Sequence, residues 1–224
     1  MLIKTRGIVL GFIKYKETSV IVSIYTEAMG LKSYIVNGVR DKKNRAIFFQ
    51  PLTILDLVVY DNHSKGLNRI SEYTLYKSYT SCLFNPKKIA VILFLAEVLT
   101  KTLKEEHPEE ELFCFITDWL VSFDNAIDSY EDFHILFLIE YAEYLGLKPS
   151  SADDIEKDFG RKINKEVAGI LNLILIEQHI GSFSLSISAE CRREMLGVLT
   201  DYYEHHFPFM GRIQSLAILR EVFS

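Results

Sequence analysis

The stretch Thr18–Glu27, TSVIVSIYTE, sets Val20, Val22 and Ile24 against Ser19, Ser23 and Tyr25. Apolar and polar residues that alternate with a period of two belong to a strand with one face buried. Its neighbours follow the same pattern. Upstream, IVLGFIKY leads into it through the short polar turn KYKE. Downstream, AMG turns the chain into LKSYIVNGV, with Gly30 supplying the backbone freedom of a hairpin. Then come LTILDLVVYD and LNRISEYTLYKS, joined by NHSKG, a turn with glycine at its end. Five strands with short hairpins and one long loop predict a small antiparallel barrel over residues 1–80.

Past residue 80 the period becomes helical. Asn85 before Pro86 has the form of an N-cap with proline at the first helical position. The following IAVILFLA, Ile89–Ala96, is apolar nearly all round. It is far short of the roughly 20 residues a membrane span needs, so it predicts a buried, central helix. After the acids of PEEE, the residues Leu112, Phe115, Ile116, Trp119, Leu120 and Phe123 recur at helical spacing. SYEDFHILFLIEYAEYLGLKP opens with a capping-box-like spacing from Ser129 to Asp132 and stops at Gly146. Two further helices, at about Asn164–Gln178 and Ala189–His206, flank the serine-rich GSFSLSIS, and IQSLAILREVF supplies a last one. The expected class is therefore α+β: a five-stranded OB-type β-barrel at 1–80, followed by an α-helical domain at 81–224.

A chain of 224 residues with 49% hydrophobic content has ample material for real cores. No apolar stretch of signal-peptide length precedes the first charges, which predicts a cytoplasmic protein. Cys82, Cys114 and Cys191 are too few and too far apart for a disulfide framework or a C-x-x-C zinc pair, so buried, reduced thiols are expected. A net charge of −5 argues against indiscriminate coating of nucleic acid, but the charge is unevenly spread. Residues 1–80 carry 12 Lys and Arg against 6 Asp and Glu, a balance of +6 that leaves −11 for the rest. Nine of those cations fall between Lys4 and Arg45, and Arg40, Lys42, Lys43 and Arg45 form a knot within GVRDKKNR.

Catalysis finds little support. No phosphate loop, dinucleotide fingerprint or nucleophile elbow occurs in the sequence. His205 and His206 are helix neighbours about 100° apart, unsuited to sharing a metal, and His134 reads as a core or boundary histidine. SADDIEKD lacks the glycine and terminal glutamate of a calcium loop and reads as a solvated acidic turn.

An OB-type barrel commonly binds single-stranded nucleic acid, with cations along the phosphates and aromatics stacked on bases. Phe12, Tyr15, Tyr25 and Tyr34 lie among the cations. Tyr15 and Tyr34, each beside lysine in KYK and KSY, are the ones expected to be exposed. The expected contact set is Arg6, Lys14, Tyr15, Lys16, Lys32, Tyr34, Arg40, Lys42, Lys43 and Arg45, with the knot clamping phosphates without reading bases. Two other readings stand beside it. One is an interaction adaptor whose barrel docks protein and does not bind DNA. The other is a hydrolase or nuclease whose metal would sit at ADDIEKD.

The segment KTRGIVLGFIKYKETSVIVSIYTEAMGLKSYIVNGVR, with QPLTILDLVVY and GLNRISE after it, resembles the N-terminal domain of the RecO recombination mediators. FLAEVLTKTL, FHILFLIEYAEYLG and the closing GRIQSLAILREVF resemble the helical part of the same family. The resemblance implies a non-enzymatic role in DNA repair and recombination, without a cofactor. Its implied activities are binding single- and double-stranded DNA, annealing complementary strands, recognising the acidic C-terminal tail of the single-strand-binding protein SSB, and acting with RecR to help load RecA. It further implies a cytoplasmic, nucleoid-associated location. Possible anchors for the acidic tail are Arg192, Arg193 and Arg212. Many members carry two C-x-x-C pairs as a zinc site. This chain has only ADDIEKDFGRKINKEV where they would fall, so a zinc-less variant is expected.

Overall fold

The computed structural model describes residues 1–39, 43–60, 66–103, 108–128, 130–160, 162–176 and 187–223, and the side chains of all of these except residues 43, 44 and 159. The chain divides into two compact units, Met1–Asn125 and Ala126–Ser224. Strands give way to helices near residue 80, as the sequence pattern implies, but the first two long helices group with the barrel.

Five strands, β1 (Leu2–Tyr15), β2 (Ser19–Thr26), β3 (Gly30–Val36), β4 (Ile54–Tyr60) and β5 (Asn68–Leu75), close in the order β1-β2-β3-β5-β4. All neighbours are antiparallel except β3 and β5. The long β1 pairs with β4 through its first half and with β2 through its second, bending at an irregularity between Val9 and Gly11. Val20, Val22 and Ile24 point inward, where Val9, Tyr34, Val36, Leu55, Leu57 and Val59 join them. Gly7 lies where the barrel is tightest: a Cβ there would stand 2.6 Å from side-chain carbons of both Ile24 and Leu57. Gly30 turns β2 into β3 with φ +65°, the left-handed backbone anticipated at that hairpin.

After β3 a short helix, α1 (Lys43–Ala46), runs into a 3₁₀ turn at Ile47–Phe49 that drops Phe49 into the core. Phe48 and Phe49 pack on Tyr73 of β5 with ring centroids 5.2 and 5.0 Å away.

Helices α2 (Pro86–Thr102) and α3 (Glu110–Asn125) buttress the barrel. Asn85 caps α2, its side-chain oxygen accepting from the backbone of Lys87 and Lys88, and Pro86 opens the helix. On α3 the buried aromatic face includes Phe113, with Phe115 only half-buried. Tyr25, outward on β2, packs against Phe113, and its hydroxyl donates to the Glu109 carbonyl at 3.4 Å. A polar latch joins the start of α2 to the end of α3. The buried Asp124 carboxylate accepts from the backbone N–H groups of Thr80, Ser81 and Cys82 and from the Thr80 hydroxyl. Burial alone would raise its pKa, yet these hydrogen bonds hold it well below the usual carboxylate range. The Lys88 ammonium, 1% exposed, donates to Ser81 Oγ and the carbonyls of Phe123 and Asp124, and burial lowers its pKa.

The second unit consists of α4 (Phe133–Tyr144), α5 (Ala152–Phe159), α6 (Lys165–Ile176), α7 (Ala189–His206) and α8 (Ser215–Val222). Tyr203 on α7 donates to the Leu138 carbonyl at 2.7 Å and Tyr202 to that of Leu147 at 2.8 Å, tying α7 to α4 and its exit.

Two local expectations change here. SADDIEKD is a helix, because Ser151 accepts from Asp154 N at its start, Ile155 is buried, and Gly160 ends it in the left-handed conformation at φ +71°. The N-cap of α4 is Asp132, the last residue of the expected box spacing. Asp132 sits at the N-cap without a side-chain cap bond because its carboxylate goes to Arg192, and Ser129 lies outside the described residues, as does GSFSLS in the serine-rich stretch.

Candidate nucleic-acid interface

The strand register decides which barrel cations can meet a polyanion. Lys14, near the end of β1, and Lys16, in the β1–β2 turn, are exposed. Lys16 has φ +55°, and its ammonium lies 5.4 Å from the centre of the half-buried Tyr15 ring. Lys32, opposite Ile24, is half-buried. Arg45 ends the described part of the knot with an exposed side chain, whose guanidinium lies 3.5 Å from where a Cβ on Gly38 would stand. Lys43 begins α1, and Arg40 and Lys42 lie outside the described residues.

One expected exposure is corrected, and one expected contact is found already paired. Tyr34 is fully buried: it faces Val22 across the β2–β3 ladder and shares the inward parity of Val36, so no base can reach it. Arg6 is paired within the fold. Its Nε donates to Glu27 Oε2 at 2.9 Å and its terminal nitrogen to Oε1, while its guanidinium lies 5.3 Å from the ring centres of both Tyr76 and Phe113. The hydrogen bond with Glu27 pushes the Arg6 pKa up and the Glu27 pKa down, the mutual shift of a bidentate pair.

Sequence clustering missed Arg69. It stands alone in the sequence, but its register places it, exposed, opposite the exposed Tyr60 of β4 and beside Ile35 of β3.

The helical unit gathers cations differently. Arg192, Arg193 and Arg220 line one small pocket with Leu196, Leu219 and Phe223, and His134 forms part of its wall. Arg192 is held in place: its Nε donates to Asp132 Oδ1 at 2.6 Å, with the two side chains 14% and 8% exposed. Arg193 and Arg220 are exposed. Burial, with the nearby Arg192 charge, pushes the His134 imidazole down to about 3, so it is neutral at physiological pH. Arg212 is exposed but does not line this pocket, whereas Arg220, which sequence reasoning did not single out, does. No cluster of three His, Cys, Asp or Glu side chains able to hold a metal occurs among the described residues.

A closed five-stranded barrel with exposed cations, followed by helices that ring an apolar pocket with arginines, defines an OB-type barrel protein with a helical companion unit. Residues 1–79 match the family model described as Recombination protein O N terminal, and residues 83–157 match Recombination protein O C terminal. The DNA repair proteins RecO of Bacteroides fragilis and Christiangramia forsetii are 31% and 32% identical to this chain, and that of Phocaeicola vulgatus 30%, in each case over the full length of both proteins. The chain belongs to the RecO family.

Proposed function

We propose that this protein is a DNA-repair and recombination mediator that works by binding, without catalysing a reaction. The barrel holds single- and double-stranded DNA through Lys14, Lys16, Lys32, Arg45 and Arg69 and through the remaining cations of the knot, Arg40, Lys42 and Lys43. Complementary strands repel one another. A surface that neutralises both phosphate backbones and leaves their bases free lowers that barrier, which is how annealing follows from electrostatics. The helical pocket receives the acidic C-terminal tail of SSB, its carboxylates meeting Arg193 and Arg220 and its apolar residues resting on Leu196, Leu219 and Phe223. With RecR, the protein then helps load RecA onto SSB-coated strands. The setting is the cytoplasm, at the nucleoid; no helix among the described residues is long and apolar enough to cross a membrane.

The observation that carries this reading is the set of exposed cations Lys14, Lys16, Arg45 and Arg69 on the barrel of a RecO-family chain whose overall charge is negative. The test is fluorescence anisotropy of labelled single-stranded and duplex oligonucleotides titrated with the full chain at two salt concentrations. Binding that weakens steeply with salt supports it. No binding at low salt would leave the barrel as a protein-docking adaptor.

A further inference from the structure

The pocket of the helical unit has walls of unequal firmness. Its α7 and α4 residues belong to well-packed helices, since α7 buries nine of its eighteen residues and α4 eight of its twelve. Leu219, Arg220 and Phe223 come instead from the last turn of α8 and the residue after it. Leu219 and Phe223 are four positions apart and share a face, with Arg220 beside them. The half-buried Phe223 rests its ring on His134, with centroids 5.6 Å apart, and its N–H donates to the Leu219 carbonyl at 3.2 Å. Of its eight residues α8 buries only Ser215 and Leu219, whereas Ala217, Ile218, Arg220 and Glu221 are exposed. Gln214 precedes it without a side-chain cap bond.

A helix this short does not hold itself in water, because the cost of its first turn is recovered only over about 12–15 residues. Its order comes from packing. Ser215 fixes the first turn, so the last two turns depend on Leu219 and on Phe223 beyond them. An element with so few buried apolar contacts opens at a small part of the free energy of global unfolding. An acidic chain end changes that balance, because its carboxylates bridge Arg193 of α7 and Arg220 of α8 while its apolar side chain lies between Leu196 on one helix and Leu219 on the other. The ligand itself then ties α8 to α7. Resting on the reading of the pocket as the receptor of an acidic chain end, we propose that the last two turns of α8 are a jaw, which opens and closes in the free chain and is held shut by the bound peptide. The peptide binds the closed form, so its affinity is lowered in proportion to the chains that stand open.

The experiment is amide hydrogen exchange of the full chain, alone and with a saturating acidic peptide that ends in phenylalanine. Alone, the amides of residues 219–223 should exchange at least about a hundredfold faster than those of residues 198–202 in the middle of α7. The peptide should slow them about tenfold and leave α7 as it was. Ala217→Gly, at an exposed position outside the pocket, loosens the helix without removing a ligand contact. Peptide affinity, read by anisotropy of a labelled peptide, should fall about threefold in that variant. Exchange in α8 as slow as in α7 in the free chain, no slowing by bound peptide, or an unchanged affinity in Ala217→Gly would each overturn the jaw and leave a rigid cleft. A peptide that does not bind the unaltered chain, or binds equally well when Arg193 and Arg220 are both replaced by Ala, would overturn the pocket reading and the jaw with it.

Discussion

In the barrel unit the exposed cations stand apart, Lys14 and Lys16 at the β1–β2 turn, Arg45 on α1 and Arg69 on β5. The helical unit instead draws Arg192, Arg193 and Arg220 around one apolar pocket. Dispersed cations on a curved sheet suit a long polyanion that can touch several in succession. Arginines gathered beside leucine and phenylalanine suit a short acidic chain end with an apolar residue to bury. Each unit also locks one arginine into its fold, Arg6 against Glu27 and Arg192 against Asp132, and the difference between these pairs is depth. The Arg6 and Glu27 side chains are 28% and 27% exposed, against 14% and 8% for Arg192 and Asp132.

Depth sets the order of the expected effects. Asp132→Ala should act most strongly, because it strands the Arg192 guanidinium without its carboxylate in a dry setting. The helical unit should lose about 3 kcal/mol in a urea titration, and a loss under about 1 kcal/mol would mean the pair is no tighter than a surface bridge.

Acid should come next, through His134 behind the same arginine. Its folded pKa of about 3 lies below the ordinary value of 6.5, so the unfolded chain takes up the proton first as the pH falls. The contribution of the neutral ring is therefore full above about pH 6.5 and is lost below it, with about 2 kcal/mol gone at pH 5. Thermal melts of the protein and of His134→Leu at pH 8 and pH 5 check this, the substituted chain losing less on acidification. Equal losses in both would assign the acid sensitivity elsewhere.

The pocket itself is probed by replacing both Arg193 and Arg220 with Ala. An acidic peptide ending in an apolar residue should bind about tenfold more weakly, about 1.4 kcal/mol, while DNA binding is kept. If peptide affinity does not move, the contrast between the two cation arrangements fails. The smallest change belongs to Arg6→Ala. Its pair is partly solvated and screened, so about 1 kcal/mol of stability should go, and the salt dependence of DNA binding should stay as it was. A flatter salt dependence would return Arg6 to the phosphate contacts.

Much of the scaffold was legible because it rests on local physics. The alternation of Val20, Val22 and Ile24 put those residues inside the barrel, Asn85 with Pro86 started α2, and Gly30 turned the first hairpin. The site was less legible. Tyr34 was read by its lysine neighbour, although its parity with Val36 already pointed it inward. Arg6 could not be told from a free cation, since Glu27 is 21 positions away and their pairing depends on how β1 meets β2. Arg69 and Arg220 are isolated in sequence, and strand register in one case and the packing of helices in the other give them neighbours. The acids of α5 are solvated, with Asp153 and Asp158 exposed, but the helix was hidden because, among its described side chains, only Ala152 and Ile155 mark its buried face. Its start at Ser151 and stop at Gly160 carried the better signal.

The central claim is that exposed cations of the barrel unit, and not its locked arginine, hold DNA by its phosphates. The most direct measurement is the slope of log affinity against log salt for a single strand, compared between the unaltered chain and a Lys14→Ala, Lys16→Ala, Arg45→Ala variant. The slope should flatten by up to about 2, roughly 0.7 for each lost contact, with weaker binding at every salt concentration. An unchanged slope and affinity would contradict the account.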